Sequence, residues 1–233
     1  MKPIQLHFML VPSLSCPASC IYCFGPHKGP IMDVNTMEAT VNFITRIVQE
    51  TGQREVKVTF HGGEPLMAGH EIFHQALNGL SSRLNHHKLD FAIQSNLWLL
   101  DDEFCKMFAE HKVKLGTSLD GPKHINDKHR GDGYFKQTIE SIRKARSRNI
   151  DVGCIATFTN WSAPLWREVF DFFLSERLNF SIHPAVPALE RNNLPYSLKP
   201  EQYSDLVLKM LEYYIKNRRE IAISSLDQMC QGV

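Results

Sequence analysis

Short apolar runs alternate along the chain with longer stretches in which apolar positions recur every three or four residues, the two periods of strands and of amphipathic helices. The runs predict six strands: Ile4 to Val11, Val56 to Phe60, Phe91 to Gln94, Lys114 to Ser118, Val152 to Thr157 and Phe180 to His183. The helical period covers Thr36 to Glu50, His70 to Leu84, Asp101 to Glu110, Tyr134 to Arg148, Ala163 to Glu176 and Pro200 to Asn217. Asn35 before Thr36, and Asp101 before Asp102 and Glu103, supply the acceptors and negative charge that helix amino termini need. This alternation predicts an α/β protein with a parallel sheet. Six units are fewer than the eight of a closed barrel, so right-handed crossovers are expected to curl them into a partial, TIM-like (β/α)6 barrel. In such folds ligands sit at the carboxyl ends of the strands.

Composition narrows the picture only modestly. With 233 residues, 43% hydrophobic and 22% charged, the chain reads as one globular domain with a well-buried core. A formal net charge of +1 gives no reason to expect nucleic acid or an acidic membrane surface as the main partner. No apolar stretch approaches a membrane span and no secretory signal is seen, so a soluble, cytoplasmic protein is expected. Six cysteines, three of them clustered, fit a reducing compartment.

Those three are Cys16, Cys20 and Cys23, spaced C-x3-C-x2-C directly after the first apolar run. Three sulfurs that must converge from one side need a loop, because strand side chains alternate faces. Thiolates are the usual protein ligands of iron-sulfur clusters, and three of them on a four-iron cubane leave one iron open for chemistry. A zinc knuckle is the bland alternative; His27 lies downstream, but the paired C-x2-C units are absent. A ferredoxin-type carrier normally brings a fourth nearby cysteine, and none follows before Cys105. Cys105 and Cys154 lie among apolar neighbours and read as packed core thiols.

The spacing, with Tyr22 before the third cysteine, resembles the signature of the radical S-adenosylmethionine (radical SAM) superfamily. The resemblance implies a [4Fe-4S] cluster on Cys16, Cys20 and Cys23, an open iron chelated by S-adenosyl-L-methionine, and a 5'-deoxyadenosyl radical released by one-electron cleavage, in low oxygen. Further motifs follow at successive strand ends. Phe60-His61-Gly62-Gly63-Glu64-Pro65 is similar to the family's GGEP element, which implies cofactor contacts from Gly62, Gly63 and Glu64 with Pro65 shaping the turn. The glycines suit a close backbone approach to a ligand or a positive φ. Gln94-Ser95-Asn96 resembles a triplet of the maturase branch and implies that Gln94 and Asn96 face cofactor or substrate. Ser118-Leu119-Asp120-Gly121-Pro122 is similar to that branch's SLDGP element, with Ser118 near the nucleotide and Asp120 and Gly121 mainly a turn. His124 to Gly131 resembles a helical segment ending in an arginine, so Arg130 is a candidate for gripping the methionyl carboxylate in a two-bond fork. A stretch from Pro184 to Leu189 is expected near the adenine, and the polar loop from Glu190 to Leu198 near a substrate mouth.

The nearest resemblance is to the anaerobic sulfatase-maturating enzymes of the peptide- and protein-modifying branch. In these, an aspartate comparable to Asp227 serves as the catalytic base; helix capping is the competing role for that residue. The resemblance implies a core over residues 1–220, with residues 221–233 starting a linker toward a cysteine-rich SPASM region outside this chain. It further implies a peptide or protein substrate, such as a sulfatase or a precursor peptide, and an electron donor such as flavodoxin or ferredoxin. The expected function is hydrogen abstraction from a substrate side chain. The alternatives are a radical SAM enzyme for a small molecule, a glycyl-radical activase, or a non-catalytic iron-sulfur module.

Overall fold

The computed structural model describes residues 6–187, 195–217 and 220–231. The expected first two residues of the opening strand, part of the adenine and mouth segments (residues 188–194) and the basic pair Arg218-Arg219 lie outside them. Six strands, β1 (Leu6–Ser13), β2 (Glu55–Gly62), β3 (Lys88–Ser95), β4 (Lys114–Ser118), β5 (Val152–Phe158) and β6 (Phe180–Pro184), form one sheet in chain order. Strand β1 pairs with β2, β2 with β3 and β5 with β6, each in parallel. Among the described residues eight α-helices accompany them: α1 (Val34–Thr51), α2 (His70–Arg83), α3 (Asp102–Glu110), α4 (Lys123–Arg130), α5 (Tyr134–Ser147), α6 (Trp166–Ser175), α7 (Pro200–Asn217) and α8 (Ser224–Cys230). Among the described residues no helix is long and apolar enough to cross a membrane. The α/β class with six parallel strands is the one expected.

The chain divides into two compact units that interleave along the sequence. The first comprises Met1–Pro17, Gly25–Gly116 and Ser141–Asp151; the second Ala18–Phe24, Thr117–Glu140 and Val152–Val233. In the first unit the period-two pattern of β2 and β3 buries Val56, Val58, Phe60, Phe91 and Ile93. Helix α1 turns Met37, Val41, Ile44 and Val48 inward, and α2 contributes Ile72, Phe73, Ala76, Leu77 and Leu80. Phe73 is the aromatic centre, with its ring 4.8 Å from Phe60, 5.5 Å from Phe104 and 5.7 Å from Phe108. The opposite strand face is partly polar, with His7 bonded to Thr59 at 2.9 Å and Lys114 paired with Asp90 at 2.7 Å.

The first helix starts earlier than expected. Its N-cap is Asp33, whose carboxylate accepts from Thr36 N–H at 2.7 Å, and Asn35 lies inside the first turn. Asp101 caps α3 as expected, accepting from Phe104 N–H at 2.9 Å. The opening strand runs on to Ser13, and its register with β2 shifts between Leu10 and Ser13.

In the second unit, α6 turns Val169, Phe170 and Phe173 inward, with Phe173 stacked on Phe180 of β6 at 4.2 Å. Helix α7 buries Leu206, Met210 and Tyr214. The stretch expected to begin a linker is packed: Ile223 forms a parallel bridge with Phe180, Leu226 is fully buried, and Ser225 Oγ accepts from Ile182 N–H at 3.0 Å.

Candidate active site

The motif residues of the first unit gather where β1, β2 and β3 end. The chain leaves β1 through a serine turn in which Ser15 N–H donates to Ser13 Oγ at 3.1 Å. Ser15 Oγ donates to Gly29 O at 2.8 Å, and Cys16 N–H donates to His27 O at 2.9 Å, which pins the chain as it enters Cys16. The strand end of β2 then meets this segment directly: Gly63 N–H donates to Ser13 O at 2.9 Å and Glu64 N–H to Ser15 O at 2.8 Å.

That meeting explains the glycine pair. Gly62 has a φ of 126°, and a Cβ on it would lie 2.3 Å from Ser13 O. A Cβ on Gly63 would lie 2.6 Å from both Leu14 O and Ser15 O. The positive φ expected of the pair is present at Gly62, and the close approach that both glycines admit here is that of the backbone that leads into Cys16.

Glu64 also departs from its expected presentation. Its side chain is fully buried, with Oε1 accepting from Leu66 N–H at 2.9 Å and from Ser95 Oγ–H at 2.7 Å, while Oε2 accepts from Asn96 N–H at 2.8 Å. Burial raises its carboxyl pKa, and these three hydrogen bonds oppose the rise. The carboxylate therefore ties the end of β2 and the short 3-10 helix Pro65–Ala68 to the end of β3. Ser95, which the sequence reading passed over, is one of the three groups that hold it.

Asn96 itself bends around its own turn, with Oδ1 accepting from Trp98 N–H at 2.9 Å and Nδ2 pointing at Cys16 Sγ, 3.9 Å away. The next residue, Leu97, is fully buried in a left-handed backbone conformation with φ 64°. Such strain at a branched side chain persists only where surrounding contacts impose it. Gln94 lies across the neighbouring strand at Gly116, where a Cβ would come within 2.4 Å of its Oε1.

In the second unit the segment Ala18–Phe24 carries Cys20, Tyr22 and Cys23. Cys20 is half-buried, whereas Cys23 and Phe24 are exposed. Cys23 N–H closes a turn on Cys20 O at 3.1 Å, and Ile21 N–H donates to His129 O at 2.8 Å on α4. Below the segment sits Asp120, fully buried and, contrary to its expected role as a turn residue, the centre of a polar cluster. Tyr22 O–H donates to its Oδ2 at 2.5 Å, and burial of the phenol end raises the Tyr22 pKa well above its usual value. Arg130 grips both oxygens, Nε to Oδ2 at 3.0 Å and Nη2 to Oδ1 at 2.8 Å. Gly121, with φ 129°, makes the turn itself.

The fork of Arg130 proposed for a methionyl carboxylate is thus engaged by a carboxylate of the chain's own. Its remaining nitrogen, Nη1, points at Cys20 Sγ, 3.9 Å away, and at Tyr134 OH, 3.4 Å away. His129 adds Nδ1 to Asp120 Oδ2 at 3.1 Å and Nε2 to Thr159 Oγ1 at 3.1 Å. Ser118 is half-buried at the end of β4. Asp227 lies elsewhere in this unit, on α8, where Tyr214 O–H donates to its Oδ1 at 2.8 Å.

Among the described residues no group of three His, Cys, Asp or Glu side chains is drawn together as a metal site. The fit to an iron-sulfur cluster rests on the surroundings of the individual sulfurs. None of the three motif cysteines is in a disulfide, and two of them face an N–H donor, Asn96 for Cys16 and Arg130 for Cys20. Donors aimed at sulfur stabilise the thiolate form and tune a bound cluster. The donor set is therefore compatible with such a cluster.

The radical SAM superfamily pattern matches residues 10–163, which is well over half of the chain. The chain belongs to the radical SAM superfamily. An uncharacterized protein of Methanothermobacter thermautotrophicus is 40% identical over 231 residues, 98% of this radical SAM chain and 87% of that protein. The cysteine-type anaerobic sulfatase-maturating enzyme of Clostridium perfringens is 24% identical over 251 residues, 100% of this chain and 67% of that enzyme. The solved structure of native anSMEcpe with bound AdoMet and Cp18Cys peptide matches with a TM-score of 0.84 at 24% identity, over 94% of this chain and 63% of that one. SuiB of Streptococcus suis bound to S-adenosylmethionine matches with a TM-score of 0.72 at 17% identity, over 94% of this chain and 50% of its own. This chain therefore spans less than two thirds of the solved relatives, whose likeness establishes a shared radical SAM fold. The cofactors expected of this family are the [4Fe-4S] cluster and S-adenosyl-L-methionine that the cysteine triad suggested.

Proposed function

We propose that the protein is a radical SAM enzyme acting on a side chain of a peptide or protein. The observation that carries the reading is the pair of N–H donors, Asn96 Nδ2 and Arg130 Nη1, each 3.9 Å from the sulfur of a motif cysteine. In this reading Cys16, Cys20 and Cys23 hold the cluster. When bound, the cluster and S-adenosyl-L-methionine supply an electron transfer that releases a 5'-deoxyadenosyl radical able to take hydrogen from the substrate.

The chain's own residues would bind and orient. The backbone at Gly62 and Gly63 is the group offered to the methionyl end, since the Glu64 carboxylate is spent on Leu66, Ser95 and Asn96. Ser118, Gln94 and Asn96 are assigned to the nucleotide and substrate, and Tyr22 to the cofactor side of its segment. Arg130, with its fork on Asp120, is assigned to the sulfur of Cys20 in place of the methionyl carboxylate. Asp227 is the candidate base, its carboxylate oriented by Tyr214.

The named relatives favour a peptide or protein as substrate. The Clostridium perfringens relative is a cysteine-type sulfatase-maturating enzyme, and a SuiB structure is bound to the precursor peptide SuiA. Formylglycine formation on a sulfatase peptide, or modification of a precursor peptide, is the activity proposed, with a flavodoxin or ferredoxin as electron donor.

The test is anaerobic reconstitution with iron and sulfide, followed by assay for reductant-dependent 5'-deoxyadenosine. The wild type should form it, and replacement of all three motif cysteines by alanine should abolish it. Mass spectrometry of cysteine- and serine-containing sulfatase peptides then tests the substrate class. Turnover without any peptide change would turn the reading toward a small-molecule substrate.

A further inference from the structure

One heavily bonded side chain of the second unit is a residue that the motif resemblance makes mainly part of a turn. Asp120 accepts five hydrogen bonds: from Tyr22 O–H at 2.5 Å, His129 Nδ1 at 3.1 Å, Arg130 Nε at 3.0 Å and Nη2 at 2.8 Å, and Thr157 N–H at 2.9 Å. A buried carboxylate needs partners, and the guanidinium alone supplies two charge-assisted ones. The other three donors come from three different places: the cysteine segment, α4 and β5. Asp120 thus joins the segment carrying Cys20 and Cys23 to the body of its unit.

Two further contacts lie along the same seam. Ile21 N–H donates to His129 O at 2.8 Å, and a Cβ on Gly131 would stand 3.2 Å from Ser19 Oγ, so the segment lies close against the end of α4. Arg130, held by Asp120 through two nitrogens, has its third nitrogen aimed at Cys20 Sγ.

We propose that Asp120 is the positioning residue for the Cys20–Cys23 arm: through Tyr22 it fixes the arm, and through Arg130 it sets the direction and net charge of the donor facing the Cys20 sulfur. The proposal rests on the reading of the motif cysteines as cluster ligands. It has an electrostatic consequence that packing alone lacks. The ion pair presents nearly neutral charge at the sulfur. Removal of the carboxylate leaves an uncompensated guanidinium, which favours the reduced cluster; removal of the guanidinium leaves an uncompensated carboxylate, which disfavours it.

The experiment compares wild type with Asp120→Asn, Arg130→Gln, the double variant and Tyr22→Phe, each reconstituted anaerobically and titrated potentiometrically with paramagnetic resonance detection. Asp120→Asn should move the midpoint potential positive and Arg130→Gln negative, with the double variant between them. Iron should be lost to a chelator about 10 to 100 times faster from Asp120→Asn, the usual cost of a disturbed partner behind a metal ligand. In metal-free protein, amide exchange at Ile21 and Cys23 should accelerate about tenfold or more in Asp120→Asn and in Tyr22→Phe. Potentials that shift in the same direction, or exchange rates equal to wild type, overturn the proposal. Should Asp120→Asn fail to fold, Tyr22→Phe decides the anchoring through exchange and Arg130→Gln the field through its potential. A wild type that takes up no cluster defeats the cofactor-ligand reading instead, and the metal-free exchange measurement still decides whether Asp120 anchors the arm.

Discussion

Asp120 and Arg130 meet as a two-bond pair inside the second unit, Nε on Oδ2 at 3.0 Å and Nη2 on Oδ1 at 2.8 Å, with both side chains almost wholly out of water. Burial by itself raises the Asp120 pKa, but the Arg130 charge and the hydrogen bonds from His129 and Arg130 outweigh it and bring it down to about 2. A depressed carboxylate contributes stability that is fully present above its unfolded value and is lost as pH falls through its folded value. Metal-free protein should therefore lose about 2 kcal/mol from this group between about pH 4 and pH 2. Urea midpoints measured across that window should fall more steeply for wild type than for Asp120→Asn; parallel curves would sink the expectation.

Glu64 gives the opposite slope. Burial raises its pKa, so the stability linked to its protonation is present below the unfolded value and lost as pH rises through the folded one. Its three donors still need an acceptor. Glu64→Ala leaves Leu66 N–H, Ser95 Oγ–H and Asn96 N–H without theirs, and each buried unmet group costs about 1–3 kcal/mol. Glu64→Gln keeps the volume but turns one acceptor into a donor. Denaturant unfolding should rank wild type above Gln above Ala, with Ala at least about 3 kcal/mol down; a Gln variant equal to wild type would show that the network is not as tight as drawn.

The glycines differ in what they tolerate. Gly62 combines φ 126° with a carbonyl oxygen 2.3 Å from any added Cβ, whereas Gly52, with φ 64°, has nothing within 4 Å. Gly52→Ala should cost about 1 kcal/mol, the helix C-cap penalty alone. Gly62→Ala must also displace Ser13 from β2 and should cost more than about 2 kcal/mol. Thermal melts of the two variants, run side by side, check the ranking, and equal shifts would refute the close approach.

Much of the fold was legible in periodicity. β4 and α7 coincide with their expected bounds, and β5 and β6 differ from theirs by one residue, because period-two and period-3.6 burial is a local property. Helix α1 was misplaced at its start because Asp33 and Asn35 are both good caps, and only the backbone conformation decides between them. The motif cysteines were visible from spacing. The role of Asp120 was not: Tyr22 lies 98 positions away and Thr157 lies 37, so no local pattern announces the cluster. Likewise, the Gly62-Gly63 pair stood out as a place of close backbone approach or positive φ, but the partner it makes room for is Ser13 to Ser15, some 50 residues earlier in the chain.

Cys23 and Phe24 stand open to solvent at the tip of their segment, with Phe24 84% exposed. Cys105 and Cys154 are sealed in the core. In air, then, the metal-free polypeptide carries sulfurs at Cys23 and Cys230 where another molecule can reach them, and bridged dimers joined through these residues become the expected product of careless purification. Gel filtration with and without reductant would register this, and strict anaerobic handling becomes a requirement that the surface itself imposes.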